Sequence, residues 1–393
     1  MEENKQEEGE RVIDEFFCKS IRFIHDETDF TRVENWYPQL EKYTFPTTWI
    51  SLTAVQAKAL HSYKEYLNYL LHAKGLEQAN SDDPVVQNEV ISKLYTAEVF
   101  DDLKIELDKM LQPEEIQPIE ELKRNIQIEM DRIKETYDSS DFFVRLSSRS
   151  PKDAALILPF TKEYIKNSIL NQTQIQEPEV ERRENALIYT HAAWLALKVS
   201  NAEQAVNLFL LSNRSQVDLA FAELKQEEFS MQIIIRKWAT ILPEYEFRVF
   251  ILNRKLTGCT QYYPWLFLPE LLGREDEIKT KIRLFWEEIQ HLIPSEHITL
   301  DIVFDKDLEK ITIIEVNPPP PSAGGGLYSW KNPEDINQVK FGDFEVRLNK
   351  QFPDKHWHKV HAPIREHIDF CRGLSVSSGN FYTTAAKKYC TIS

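Results

Sequence analysis

Asp301, Glu315 and Asn317 are the residues whose types and spacing could do chemistry. Each acid stands inside an apolar run: Asp301 in Thr299-Leu300-Asp301-Ile302-Val303-Phe304, and Glu315 in Ile311-Thr312-Ile313-Ile314-Glu315-Val316-Asn317. Both runs read as β-strands, and the polar stretch from Asp305 to Lys310 between them reads as the turn of a hairpin. An ionised carboxylate among apolar side chains is costly unless a cation meets it. Asn317 follows Glu315 by two residues and so shares its face of the strand. Two carboxylates and an amide oxygen form a hard, all-oxygen set. Such a set suits magnesium, which completes its shell with water and phosphate oxygens. The same two acids would equally suit an edge strand turned to solvent.

Cations break strand pattern elsewhere in the same way. Arg145 lies in Phe142-Phe143-Val144-Arg145-Leu146, and Arg248 in Glu246-Phe247-Arg248-Val249-Phe250. Violations of this kind gather at functional sites. After Arg145 come Ser147, Ser148, Arg149, Ser150, Pro151 and Lys152, which place cations and hydroxyls around a helix start. Backbone amides there favour anions, and Arg or Lys could grip phosphates. A surface loop whose cations pair with surplus acids is the plainer alternative. Arg248 could reach a phosphate or pair with Glu315. The run from Gln232 to Arg236, with Ile234 and Ile235, reads as a strand offering edge backbone groups and apolar side chains of the kind an adenine needs. His356, His358 and His361 have metal-like spacing but no Cys or acid partner nearby, so they read as surface or structural histidines.

The elements that must position these residues can be read from periodicity. Thr53 caps a helix running to Gly75, with Leu60, Tyr63, Leu67 and Leu71 on one face. Residues 88–111 read as helix, and Pro113 to Pro118 as an interruption. Ile119, Leu122, Ile126, Met130, Ile133 and Tyr137 then recur at three- and four-residue spacing, which is an amphipathic helix. Pro151 suits a helix start capped by Ser150. Helical patterns continue to about residue 170, and again over 183–199, 201–212 and about 272–293, the last with Ile278, Ile282, Phe285, Trp286 and Ile289 inward. Strands are expected over 142–146, 231–238, 246–252 and 256–261, besides the acid-bearing hairpin. Mostly antiparallel strands with helices laid against them make the class α+β. The chain divides into an acidic tail and N-terminal helix (1–33), a main domain (34–345, with a helical insert at about 54–140) and a C-terminal extension (346–393).

With 393 residues, 42% of them hydrophobic, the chain can build a sizeable core. Its formal net charge of −16 argues against a general nucleic-acid binder. Cys18, Cys259, Cys371 and Cys390 have neither metal nor disulfide spacing and fit a reducing compartment. The N-terminus shows no secretory pattern, and no apolar run reaches transmembrane length. Cys390-Thr391-Ile392-Ser393 fits the C-a-a-X prenylation pattern, with the terminal Ser favouring farnesyl. A single lipid chain anchors only marginally. The expected location is therefore cytoplasmic, with peripheral membrane association if Cys390 is lipidated.

In order and spacing, several pieces resemble the cell division cycle protein 123 family: Trp36-Tyr37-Pro38, Arg145-Leu146 through Ser150-Pro151-Lys152-Asp153-Ala154, Ile235-Arg236-Lys237-Trp238, Glu246 to Phe250, Asp301, and Glu315-Val316-Asn317-Pro318. They span residues 34–332. The resemblance implies an ATP-grasp-like fold, with two antiparallel-sheet subdomains clasping a nucleotide cleft and here an extra helical N-terminal region. It also implies ATP and magnesium as ligands, and work as an assembly chaperone for translation initiation factor 2 through its gamma subunit. By this resemblance Arg145 stands where the family has a phosphate-binding lysine, and Arg248 is the nucleotide-binding arginine. Asp301, Glu315 and Asn317 are the magnesium ligands, and Ile234, Ile235 and Arg236 lie along the adenine. Ser147 and Lys152 belong to the same nucleotide set. The chain departs from the family at Arg145-Leu146-Ser147-Ser148, at Glu315 in place of an aspartate, and in the Pro- and Gly-rich segment after Pro318. Two other functions stay open: an ATP-dependent ligase or phosphoryl-transfer enzyme acting on a protein or RNA, membrane-anchored or a bacterial effector, and a nucleotide-free scaffold.

Overall fold

The computed structural model describes residues 29–73, 105–155, 158–170, 178–224 and 226–352. The acidic tail, residues 88–104 of one expected helix, the histidines at 356–361 and Cys390 lie outside the described residues.

The chain enters with α1 (Val33–Leu40), which buries Val33, Trp36, Tyr37 and Leu40. Next comes β1 (Thr47–Ser51), a strand that periodicity did not reveal because the run is too short to show alternation. In α2 (Ala54–Ala73) the expected cap is present: the Gln56 N–H donates to Thr53 Oγ1 at 3.2 Å, and the Thr53 N–H donates to Gln56 Oε1 at 3.1 Å. This reciprocal pair satisfies two amides at the helix start. Residues 105–110 are helical, as expected for the end of the helix over 88–111, and α3 then runs Pro113–Tyr137. The segment from Pro113 to Pro118 is therefore its first turns and not an interruption. Pro113 occupies a position where its missing N–H is harmless, and Pro118 removes a single bond close to the start. The stripe Ile119, Leu122, Ile126, Met130 and Ile133 is buried, while Tyr137 is exposed.

After β2 (Phe142–Leu146) come α4 (Lys152–Ala155), α5 (Pro159–Leu170) and α6 (Pro178–Leu195). The helix expected over 183–199 stops at Leu195, because Lys198–Val199 form β3 and pair with Phe142 and Phe143 of β2. Two helices, α7 (Ala202–Leu211) and α8 (Asn213–Leu224), lead to β4 (Gln232–Lys237). The remainder is β5 (Glu246–Leu252), β6 (Lys255–Gln261), α9 (Glu275–Ile289), β7 (Ile298–Phe304), β8 (Ile311–Asn317), α10 (Pro333–Phe341) and β9 (Glu345–Arg347). The expected helix over 272–293 is thus shorter at both ends, and β9 runs across the expected boundary at 345.

Among the described residues two sheets result, in the orders β1-β4-β2-β3 and β8-β7-β5-β6-β9. All pairings are antiparallel except β6 with β9, which is parallel. The α+β class therefore holds. The expectation that β4 offers free edge groups does not: β4 is an interior strand, hydrogen-bonded to β1 on one side and β2 on the other.

Strand alternation decides what each sheet turns toward the other. In the first sheet, Phe142, Val144, Leu146, Ile233 and Ile235 pack into one core with α2, α3, α7 and α8. Arg145, Ile234 and Arg236 hold the intervening positions and face the other way. In the second sheet, Phe247, Val249 and Ile251 pack with Ile278, Ile282 and Trp286 of α9, and this core also takes in Ile234. Glu246 and Arg248 are thereby turned toward the space between the sheets.

Candidate functional site

Arg248, Asp301 and Glu315 form a row across three neighbouring strands, Arg248 opposite Asp301 and Asp301 opposite Glu315. Residues in direct register place their side chains on the same face within reach of one another. Arg248 grips Asp301 through two bonds, Nε to Oδ1 at 2.8 Å and Nη2 to Oδ2 at 2.8 Å. Its partner is thus Asp301 and not Glu315, because Asp301 is its register neighbour. Glu315 is instead met from the other sheet: Arg145 Nη1 lies 2.5 Å from Glu315 Oε1. Asn317 donates from Nδ2 to Asp301 Oδ2 at 2.8 Å. Asp301 is fully buried and Glu315 nearly so. The solvent-facing alternative for these acids is therefore excluded.

The register shifts between Asp301 and Ile302. Asp301 pairs with Glu315 but Ile302 pairs with Ile313, which leaves Ile314 as the extra residue of a β-bulge. The freed Ile314 carbonyl oxygen accepts from Arg236 Nη1 at 2.6 Å. Arg236 is 3% exposed, yet its Nε and Nη2 have no hydrogen-bond partner. Burial, aided by the nearby charge of Arg145, lowers its pKa to about 9.

Lys152 joins from the start of α4, donating to the Tyr262 hydroxyl at 2.8 Å. With only four residues, α4 brings little helix dipole, so this cation acts through its own charge. Burial works against the ammonium, but Tyr262, Glu246, Glu315 and Asp301 outweigh it and raise its pKa. Arg248 also stacks on Tyr262, 4.9 Å from the ring centre, and its Nη1 donates to the Gly324 carbonyl at 2.9 Å. Burial pushes the Glu315 carboxyl up, but Arg145, Lys152 and Arg248 hold it down at about 2. Glu246 behaves oppositely. Burial, with Asp301 adding to it, lifts its carboxyl to about 8 against Lys152 and Arg248, and its Oε1 has no hydrogen-bond partner.

A cavity of about 300 Å³ opens onto this cluster between the sheets. Lys152, Arg236, Glu246 and Tyr262 form its polar side. Its other side is aromatic, with Trp194, Trp238, Tyr263 and Trp265. The Trp194 and Trp238 rings lie 4.2 Å apart, and Trp265 Nε1 donates to Thr190 Oγ1 at 3.1 Å, which ties this wall to α6. A larger groove, about 650 Å³, runs past Tyr43, Thr44 and Ile311 and meets none of the buried charges.

Of the residues singled out from the sequence, Arg145, Lys152, Arg236, Arg248, Asp301, Glu315 and Asn317 come together in this cluster, and of these Lys152 and Arg236 line the cavity itself. Ser147 does not line the cavity. Its hydroxyl donates to Glu34 Oε1 at 2.8 Å and accepts from the Gln232 N–H at 2.9 Å. Ile234 and Ile235 do not line it either; they fill the two cores on opposite faces of β4. Sequence reasoning missed Glu246, Tyr262 and the tryptophans. Glu246 carried a signal, since it begins the same apolar strand as Arg248.

The ligands implied by the resemblance can be tested against these atoms. Unpartnered buried donors on Arg236 suit an anionic oxygen, and an aromatic wall beside them suits a flat base. Among the described residues no group of three or more His, Cys, Asp or Glu is placed to hold a metal. The oxygens of Asp301, Glu315 and Asn317 nonetheless form a donor set of the type magnesium shares with phosphate. By type the residues suit both groups, while in this structure Asp301 and Glu315 are paired with Arg248 and Arg145. Among the described residues no helix is long and apolar enough to cross a membrane.

Comparison with known proteins agrees with the resemblance. The D123 family model matches residues 190–369, a range that contains Arg236, Glu246, Arg248, Asp301, Glu315 and Asn317. A protein of Xenopus laevis named translation initiation factor eIF2 assembly protein is 31% identical over 101 residues, covering 25% of this chain and 30% of that protein. The cell division cycle protein 123 of Phaeosphaeria nodorum is 25% identical over 134 residues, covering 32% of this chain and 34% of that protein. The matched region thus spans about a third of the length of these relatives. A solved structure of Cdc123 from Schizosaccharomyces pombe aligns with a TM-score of 0.47 at 17% identity, over 82% of this chain and 96% of that one. Over residues 190–369, then, this chain is similar to the D123 family and to proteins named cell division cycle protein 123.

Proposed function

We propose that this chain binds ATP with magnesium in the cavity between the sheets and acts as an assembly factor for translation initiation factor eIF2, through the gamma subunit. The observation that carries the nucleotide reading is Arg236, a buried guanidinium with two unpartnered donors at the wall of a cavity whose far side is aromatic. Arg236 and Lys152 would bind phosphate oxygens, and Trp238 and Trp194 would hold the base by stacking. Asp301, Glu315 and Asn317 would hold the metal, whose chemistry when bound is to neutralise phosphate charge. The assembly role is supported by the names that the relatives carry.

Calorimetric titration of ATP with and without magnesium, on the wild type and on Glu315→Ala, tests the first half. Saturable binding that needs magnesium and fails in the variant is expected. No heat in the wild type would remove the nucleotide reading. Co-precipitation with the isolated gamma subunit tests the second half, with ATP-dependent capture expected. ADP release on incubation with magnesium and ATP alone would instead favour an enzyme.

A further inference from the structure

The buried charges between the sheets do not balance. Arg145, Lys152, Arg236 and Arg248 stand against Glu246, Asp301 and Glu315. The two carboxylates of the oxygen donor set are also already engaged. Both oxygens of Asp301 accept from Arg248 at 2.8 Å, and Oε1 of Glu315 meets Arg145 at 2.5 Å. Taking the proposed nucleotide reading as its basis, we propose that Arg145 and Arg248 act as resident counter-cations in the ligand-free protein. A divalent cation then enters only together with a polyphosphate, which draws both arginines off the carboxylates.

The argument is one of sign and of burial. A bare dication would add two positive charges to a set in which cations already outnumber carboxyl groups, in a place with little water to screen it. It would also take from two guanidinium groups their carboxylate partners, leaving Arg145 and Arg248 only backbone carbonyls to meet their charge, and breaking one partner of a buried pair is strongly unfavourable. A polyphosphate removes both obstacles, since its oxygens supply the negative charge and offer the arginines the bidentate acceptors they lose. Arg236, whose Nε and Nη2 have no hydrogen-bond partner, lines the cavity beside them and adds a further cation with donors to offer the anion. Metal and nucleotide sites are therefore coupled, and by linkage each raises the affinity of the other by the same factor.

Manganese is the probe. Mn2+ is titrated into the full chain without nucleotide and the free ion is followed by electron paramagnetic resonance, on the wild type, Arg248→Gln and Arg145→Gln. The wild type should bind no Mn2+ into the millimolar range. Each glutamine variant should gain a single Mn2+ site, tighter by about 100-fold, near the upper end of ordinary site-to-site coupling, and Mn2+ should raise its melting temperature. A one-to-one Mn2+ site in the nucleotide-free wild type that disappears in Glu315→Gln overturns the inference. So does the absence of any gain in both variants when circular dichroism shows them folded. Should one variant fail to fold, the other and the wild type still decide. Failure of the wild type to bind ATP under any condition is a separate result and removes the nucleotide reading itself.

Discussion

Arg236 donates from Nη1 to the carbonyl oxygen of Ile314 at 2.6 Å, and through that bond an interior strand of one sheet holds the bulged strand of the other. The remaining Arg236 donors have no hydrogen-bond partner, and the residue lines the cavity between the sheets. Replacing Arg236 with Met should therefore weaken ATP binding more than it weakens the fold. A charge-assisted bond to phosphate contributes about 1.5–3 kcal/mol, so the dissociation constant should rise at least about tenfold. The melting temperature should hold or increase, because a buried cation with two unmet donors is removed. Calorimetry and thermal denaturation together check this. A large drop in stability with unchanged affinity would make Arg236 a structural residue.

Two buried glutamates give stability opposite pH slopes. Glu315 is held at about 2 against an ordinary 4.5, so the stabilisation it brings is complete above pH 4.5 and fades as pH falls toward 2. Glu246 is lifted to about 8, so the folded state holds a proton there that the unfolded state releases, and stability falls as pH rises from 4.5 to 8. Glu246→Gln should accordingly raise the melting temperature at pH 8 and change it little at pH 5. Equal effects at both values would place the proton elsewhere.

Trp194 and Trp238 should report on the base. Stacking on an aromatic side chain contributes about 1–3 kcal/mol per base, so Trp194→Ala should loosen ATP by about tenfold. It should also remove part of the tryptophan fluorescence change that accompanies ATP addition. A fluorescence change identical to that of the wild type would exclude this ring from the site.

Gly326 has φ of +60°, and a Cβ built there would lie 2.5 Å from Thr260 Cγ2. Gly326→Ala should destabilise the fold by about 2 kcal/mol, from left-handed backbone and overpacking together. It should also disturb the neighbouring Gly324 carbonyl that accepts from Arg248. Urea denaturation measures the first effect. ATP titration measures the second, and a lowered affinity is expected.

The parts of this fold that were legible are those where pattern is local. The acid-bearing hairpin, β2, β5 with β6, and the capped helix α2 follow from alternation, turn residues and a Thr-x-x-Gln cap. Arg145, Arg248, Asp301 and Glu315 stood out because charge inside an apolar strand needs a reason. What the sequence hid is non-local. The pairing of Arg248 with Asp301, and of Arg145 with Glu315, depends on strand order and on which sheet faces which. The interior position of β4 depends on β1, five residues long and more than 180 residues earlier in the chain. The bulge at Ile314 leaves no mark in the residues themselves, and nothing local marks Trp194, Trp238 and Trp265 as neighbours, because they come from separate parts of the chain.

The strand that carries Glu315 and Asn317 is also the outermost strand of its sheet. An open strand edge of this kind is a template for another molecule's strand, so a charged ligand site on it carries a risk of self-association. Two features blunt that edge. The bulge at Ile314 bends it, and the Thr44 hydroxyl covers the neighbouring Ile313 carbonyl at 2.7 Å. Solubility and the proposed ligand binding therefore share the same few residues, and a change that straightens β8 would open that edge to aggregation.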